Sequence, residues 1–149
     1  MAFFTGEYEC KLDAKGRLVL PAKMKASLPE SLGHELMLRR GLEPCLELLT
    51  MLEVKKDYSR LASLDDTQDE VRNFRRSYFR REAPVELDNA GRLLIPRTMM
   101  RHAQLEKEAI VVGIGVKIEI WNPDLYEEFI IKEEKIFNEL NKKYLKKGG

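Results

Sequence analysis

A chain of 149 residues, 44% of them apolar, is long enough to bury one sizeable core but too short for several large domains. Twenty-six Lys and Arg stand against 25 Asp and Glu, a net charge of +1, so an anion-binding surface has to come from local clustering rather than global excess. With two cysteines, no Cys-x-x-Cys, and two histidines lacking partners at metal-ligand spacing, the sequence offers no disulfide framework and no metal signature; no apolar stretch approaches membrane-spanning length.

The first six residues carry neither a charged start nor a long apolar run, so they do not read as a signal peptide, and the expectation is a cytoplasmic protein. Tyr8, Cys10 and Leu12 alternate with Glu7, Glu9 and Lys11, the period of a half-buried strand. Asp13-Ala14-Lys15-Gly16 then reads as a tight turn, because Asp bonds backbone groups two residues on and Gly accepts a left-handed conformation. Leu18-Val19-Leu20 is a short apolar strand ended by Pro21, which suits the first turn of a helix over residues 22–28. Strands follow at residues 34–38 and 46–49 around Gly41. A helix then starts at Thr50, with Glu53 at capping-box spacing and an apolar stripe of Val54, Tyr58 and Leu61.

The segment 64–83 opens on acids, with Thr67 and Glu70 again at capping-box spacing, and continues into Arg72, Arg75, Arg76, Arg80 and Arg81. Val71, Phe74 and Tyr78 share one helical stripe; Arg72, Arg76 and Arg80 share the next. Pro84 is expected to end this helix. Then Asp88-Asn89-Ala90-Gly91-Arg92-Leu93-Leu94-Ile95-Pro96 restates Asp13-Ala14-Lys15-Gly16-Arg17-Leu18-Val19-Leu20-Pro21, 75 residues later. A helix over residues 97–105, strands at 108–112 and 118–121, and a helix capped by Asn122 with Pro123 at its first position complete the second copy. Phe129, Ile136 and Leu140 mark an apolar stripe on that last long helix, and residues 142–147 form a lysine-rich tail. Each half is thus strand, turn, strand, short helix, two strands, long helix, and the repeat governs the whole fold. The expected divisions are 1–64 for the first repeat, 65–83 for an Arg-rich connecting helix and 84–149 for the second repeat.

Two surfaces are candidates for function. At the turn tips, Lys15, Gly16 and Arg17, with Gly91 and Arg92 in the second copy, present cations on stiff elements, and an open Gly N–H would suit phosphate approach. Turn geometry accounts for Gly twice but not for Arg twice. The competing reading is a polar turn whose Arg guards a strand edge. Ala90 stands where the first copy has Lys15, so the second tip is expected to be less charged. The second candidate is Arg72, Arg75, Arg76, Arg80 and Arg81, as a basic face toward nucleic acid or as ion pairs at a subunit contact. Enzyme motifs are missing: there is no Gly-x-Ser-x-Gly, P-loop or dinucleotide fingerprint, and His102 and Trp121 read as structural.

The doubled Asp-x-x-Gly-Arg-x-x-x-Pro motif, with Gly6, Tyr8, residues 72–81, Val111-Val112-Gly113 and Ile118-Glu119-Ile120-Trp121, resembles the MraZ family of bacterial transcriptional regulators. More distantly it is similar to AbrB-like swapped-hairpin DNA-binding proteins. The resemblance covers essentially the whole chain. It implies an α+β fold with a mainly β core, in which two AbrB-like repeats form an intramolecular swapped-hairpin β-barrel pseudo-dimer with flanking helices. It implies a closed homo-oligomeric ring that binds double-stranded DNA at short direct repeats upstream of the division and cell-wall gene cluster, and a nucleoid-associated location. The family's DNA-contacting motif falls on Lys15 and Arg17 and on Arg92; no cofactor, metal or membrane is implied. The alternatives are a scaffolding oligomer whose arginines pair with acids across subunits, and an AbrB-like antitoxin module with a toxin-binding tail.

Overall fold

In the computed structural model, which describes residues 3–28 and 35–146, the elements fall in the same order in both halves. The first half holds β1 (Glu7–Lys11), β2 (Arg17–Val19), α1 (Ala22–Ala26), β3 (Glu35–Arg40), β4 (Leu46–Thr50) and α2 (Met51–Ala62). After α3 (Asp69–Phe79) come β5 (Glu82–Glu86), β6 (Arg92–Leu94), α4 (Arg97–His102), β7 (Glu108–Gly113), β8 (Lys117–Trp121), α5 (Pro123–Phe129) and α6 (Glu134–Leu145). His34 and Lys147, read above into a strand and the tail, lie outside the described residues.

The halves are built through one another. A six-stranded antiparallel sheet runs β1-β7-β8-β4-β3-β5, an order that reads the same from either end when the halves are exchanged. The opening strand of each half pairs in the other: Tyr8 faces Val111, and Val85 faces Leu36. β2 and β6 form a separate two-stranded ladder, with Leu18 facing Leu93. The fold is α+β and mainly β. The closed barrel expected from the resemblance is not formed by continuous ladders. The main sheet ends at β1 and β5, which reach the β2/β6 pair only through the isolated bridges Leu12↔Leu18 and Leu87↔Leu93. The left-handed Gly of each turn bends the chain sharply there, at φ +82° for Gly16 and +75° for Gly91. Three-residue strands are too short to carry a ladder round the corner.

The central core draws equally on both halves. Leu18, Leu20, Leu93 and Ile95 are buried as expected and pack with Leu38, Leu48, Val111 and Ile120. Two satellite clusters lie on the other side of the sheet. Met37 and Leu49 hold Val54 of α2, while Cys45, Ile110 and Trp121 hold Leu125 and Tyr126 of α5. Val54 and Leu61 of the α2 stripe are buried within the chain.

Several local expectations fail for identifiable reasons. Neither capping box forms. Thr50 makes no side-chain cap bond while Glu53 pairs with Lys56 at 2.8 Å. Thr67 donates to Asp65, two residues before α3 starts at Asp69. Asn122 does cap α5, accepting from the N–H groups of Asp124 and Leu125 at 2.8 and 3.2 Å. α3 ends at Phe79, and Pro84 lies inside β5 opposite Met37, tolerable because β5 is an edge strand. α1 stops at Ala26 and α4 at His102, short of the expected ends; beyond α4, Gln104 turns to φ +52°. The second long helix is broken into α5 and α6, Ile130 being extended at the first residue of the β-branched pair Ile130-Ile131.

Candidate nucleic-acid interface

Each turn is a clamp made by one aspartate. Asp13 Oδ1 accepts from the N–H groups of Lys15 and Arg17, both at 2.9 Å, and its Oδ2 takes the Arg17 Nε–H at 2.7 Å. The second copy repeats this geometry. Asp88 Oδ1 accepts from Ala90 at 2.9 Å and Arg92 at 2.8 Å, and Oδ2 from Arg92 Nε at 2.7 Å. Hydrogen bonds from the Arg17 N–H lower the Asp13 carboxyl below the usual carboxylate range, the Arg17 guanidinium and Lys15 N–H adding to it against some desolvation. Arg92 and Ala90 do the same to Asp88. The motif thus needs Asp and Arg together. The carboxylate organises the turn and holds the arginine by Nε, leaving its terminal amino groups to reach outward from a pre-oriented side chain.

One expectation about the tips is corrected. The Gly16 N–H is not open to an incoming anion; it donates to Asp13 O at 3.0 Å, as Gly91 N–H does to Asp88 O at 2.9 Å. The carbonyls tie the tips together instead. Gly16 O accepts from Ile95 N–H at 3.0 Å and Gly91 O from Leu20 N–H at 3.1 Å, so each turn is fixed by the other half.

The β2/β6 ladder decides what the two tips present. Register places Arg17 opposite Leu94 and Arg92 opposite Val19. Leu18 and Leu93 point into the core, so by alternation Arg17, Val19, Arg92 and Leu94 share the outer face. Val19 and Leu94 are each 56% exposed. The result is a short ribbon whose outer face carries an arginine at two diagonally opposite corners and an apolar side chain, Val19 or Leu94, at the other two.

Further cations arrive from positions that the linear motif does not mark. Arg97 and Arg101 of α4 border the hollow beside Lys15 and Gly16, with no acid among the lining residues. At the other tip a β-carbon on Gly91 would stand 3.2 Å from Lys25 Nζ. Lys25 thus brings a cation beside the tip that carries alanine at position 90. These residues sit in the short helices of the opposite half, so only strand exchange could reveal them.

The Arg-rich helix is spent differently. Arg72 pairs with Asp69 and donates to Asp66 O at 2.8 Å. Arg75 donates to Leu61 O and Leu64 O, each at 3.1 Å, and pairs with Asp66. Arg81 donates to Arg40 O at 3.1 Å and Arg76 to Asn73 Oδ1 at 3.0 Å. Arg75 thereby fastens α3 to α2, Arg72 ties α3 to the turn before it, and Arg81, just past α3, holds the end of β3. Beneath them, Arg39 binds Glu47 at 2.7 Å and Asp57 at 2.9 Å, and Lys117 pairs with Glu47. Burial opposes ionisation of Glu47, but hydrogen bonds from Lys117 and Arg39 outweigh it and lower its pKa. Among the described residues, no cluster of His, Cys, Asp and Glu is placed to hold a metal, and no helix is long and apolar enough to cross a membrane.

The family described as "MraZ protein, putative antitoxin-like" matches the chain twice, over residues 3–77 and 78–146. A curated protein of Cytophaga hutchinsonii named transcriptional regulator MraZ is 50% identical over 145 residues, covering 97% of this chain and 96% of its own. Proteins of the same name from Thermoanaerobacter sp. and Mycoplasmoides gallisepticum are 35% and 36% identical, covering 91% and 92% of this chain and 92% and 94% of theirs.

Proposed function

The chain belongs to the MraZ family, and we propose that it is a non-enzymatic, sequence-specific DNA-binding regulator of transcription that acts as a closed homo-oligomer on short direct repeats. The DNA-binding turns are Lys15, Gly16 and Arg17 with Gly91 and Arg92, the glycines shaping the turns and the cations making the contacts, and the target lies upstream of the division and cell-wall gene cluster. The exchange of β1 and β5 is read as a swapped hairpin accomplished within one chain, α3 being the connection between the repeats, and the protein works at the nucleoid.

One observation carries this reading: the same Asp–Arg clamp is built twice and displayed on one exposed ribbon. A turn needs only the Asp and the Gly. Holding an arginine by Nε at 2.7 Å in both copies makes sense if the free end of the guanidinium has a task. A two-stranded ribbon is narrow enough to enter a major groove, where arginine grips guanine bidentately. Lys15, Arg97 and Arg101, which border a hollow lined by no acid, supply phosphate contacts, and several copies in one assembly multiply weak contacts.

The test is a mobility shift on the DNA upstream of this protein's own gene, beside an unrelated duplex, across a salt series. Selective binding that weakens steeply with salt is expected. Equal binding to both duplexes would refute sequence specificity, and no binding while the protein stays assembled would favour the scaffolding oligomer instead.

A further inference from the structure

The outer face of the β2/β6 ribbon has a composition that contact with water does not favour. An antiparallel ladder packed on one side usually turns polar side chains outward. Here the four outward positions are Arg17, Val19, Arg92 and Leu94, and the two that are not arginine are aliphatic and more than half exposed. Apolar residues scattered singly over a surface need no explanation. These two are not scattered. Each stands two positions past the clamped arginine of its repeat, and the pairing of β2 with β6 brings both onto one surface.

Geometry ties the aliphatic pair to the arginines. Alternate residues of an antiparallel strand lie about 6.8 Å apart, and residues directly opposite about 5 Å. Arg17 therefore has Val19 along its own strand and Leu94 across the ribbon; Arg92 has Leu94 along its strand and Val19 across. Successive base pairs rise by about 3.4 Å, so these spacings correspond to one to two base-pair steps. The backbone that carries the four side chains is fixed at both ends, by Leu20 N–H on Gly91 O and Ile95 N–H on Gly16 O. The ribbon thus presents a set pattern of two cations and two apolar groups.

The floor of the major groove offers one apolar group, the C5-methyl of thymine; the remaining features of the base edges are hydrogen-bond donors and acceptors. The guanidinium groups draw the ribbon to the polyanion, and the aliphatic side chains between them can gain only from a methyl. We propose that Val19 and Leu94 are specificity-determining residues that seat thymine methyl groups next to the contacts made by Arg17 and Arg92. The target then carries thymine within one to two steps of each arginine contact. This deepens the DNA-binding reading above and rests on it.

The test removes the methyl groups from the DNA and leaves every charge and hydrogen-bonding group in place. Fluorescence anisotropy on the full chain compares three duplexes of the DNA upstream of this protein's own gene. One has thymine throughout, one has deoxyuridine for the thymines of the footprinted segment, and one has deoxyuridine only in the flanks. The second should bind about fourfold more weakly for each methyl seated, and the third should bind like the first. The double variant Val19→Ser with Leu94→Ser should bind all three alike, close to the level of the wild type on the second. Its salt slope should be unchanged, because no charge is removed. If that variant misfolds, the wild-type comparison decides alone. Equal wild-type affinity for the first and second duplexes overturns the proposal while leaving DNA binding intact. A thymine preference that persists in the folded double variant overturns it too, because other groups then read the methyls. Failure of the wild type to prefer the all-thymine duplex over an unrelated one refutes the DNA reading itself, and this inference with it.

Discussion

Replacing Arg17 by alanine tests the clamp most directly. The side chain is anchored by Nε to Asp13 and stands at a corner of the exposed ribbon, so its removal deletes an outward guanidinium without touching the core. If the free end reads a base, the loss is about 1–3 kcal/mol per engaged site, roughly 5- to 150-fold in affinity, with relaxed specificity. If it clamps a phosphate, all sequences weaken alike and the salt slope falls by about one. Arg17→Lys separates these outcomes. Lysine keeps the charge but lacks the planar fork and the Nε donor that Asp13 holds, so salt dependence should persist while discrimination disappears. Arg92→Ala should cost the same within about twofold, because its clamp has the same 2.7 Å geometry and Lys25 supplies the charge that position 90 lacks. Fluorescence anisotropy on operator and scrambled duplexes at several salt concentrations reads all three quantities, with Lys146→Ala in the exposed tail as the control. If Arg17→Ala and Arg92→Ala both keep full operator affinity while folded and assembled, the hairpin-tip mechanism is wrong. Arg76 of α3 and Arg80 at its C-terminal cap are then the cations to examine.

Other outcomes follow from the packing. Gly91→Ala forces a β-carbon onto a residue at φ +75° and 3.2 Å from Lys25 Nζ; thermal melts should show a loss of about 1–2 kcal/mol. Leu18→Ala empties a fully buried site where the halves meet and should cost about 2–5 kcal/mol by urea denaturation, with both halves unfolding in one transition. A residual folded half would contradict the interleaved core. Asp13, Asp88 and Glu47 have folded-state pKa values below their ordinary 3.8 and 4.5, so the stability they contribute is complete above those values and is lost as pH falls through the lowered ones. A Tm that rises on acidification from pH 5 to 3 would refute that sign.

Much of this protein can be read along the line of the chain, because the decisive signals are local. The Asp-x-x-Gly-Arg turn, the short apolar strand and the proline are set by interactions spanning a few residues, and their recurrence after 75 residues announces two units of one kind. The burial of Leu18, Leu20, Leu93 and Ile95 follows from the same periodicity. The pairing of those units is not local. Strand exchange between β1 and β7, and between β5 and β3, depends on which partner buries most surface, and alternation within a strand does not name its neighbour. That exchange brings Lys25 to Gly91 and Arg97 to Lys15, sets Arg17 and Arg92 on one face, and opens the main sheet at its two edges. The partners of the Arg-rich segment were only partly local: Arg72 holds Asp66 and Asp69 beside it, whereas Arg75 and Arg81 reach the Leu61 and Arg40 carbonyls only in the folded chain. Local chemistry specifies the turns and the strands, whereas the surface they form together arises only when two halves compete for one core.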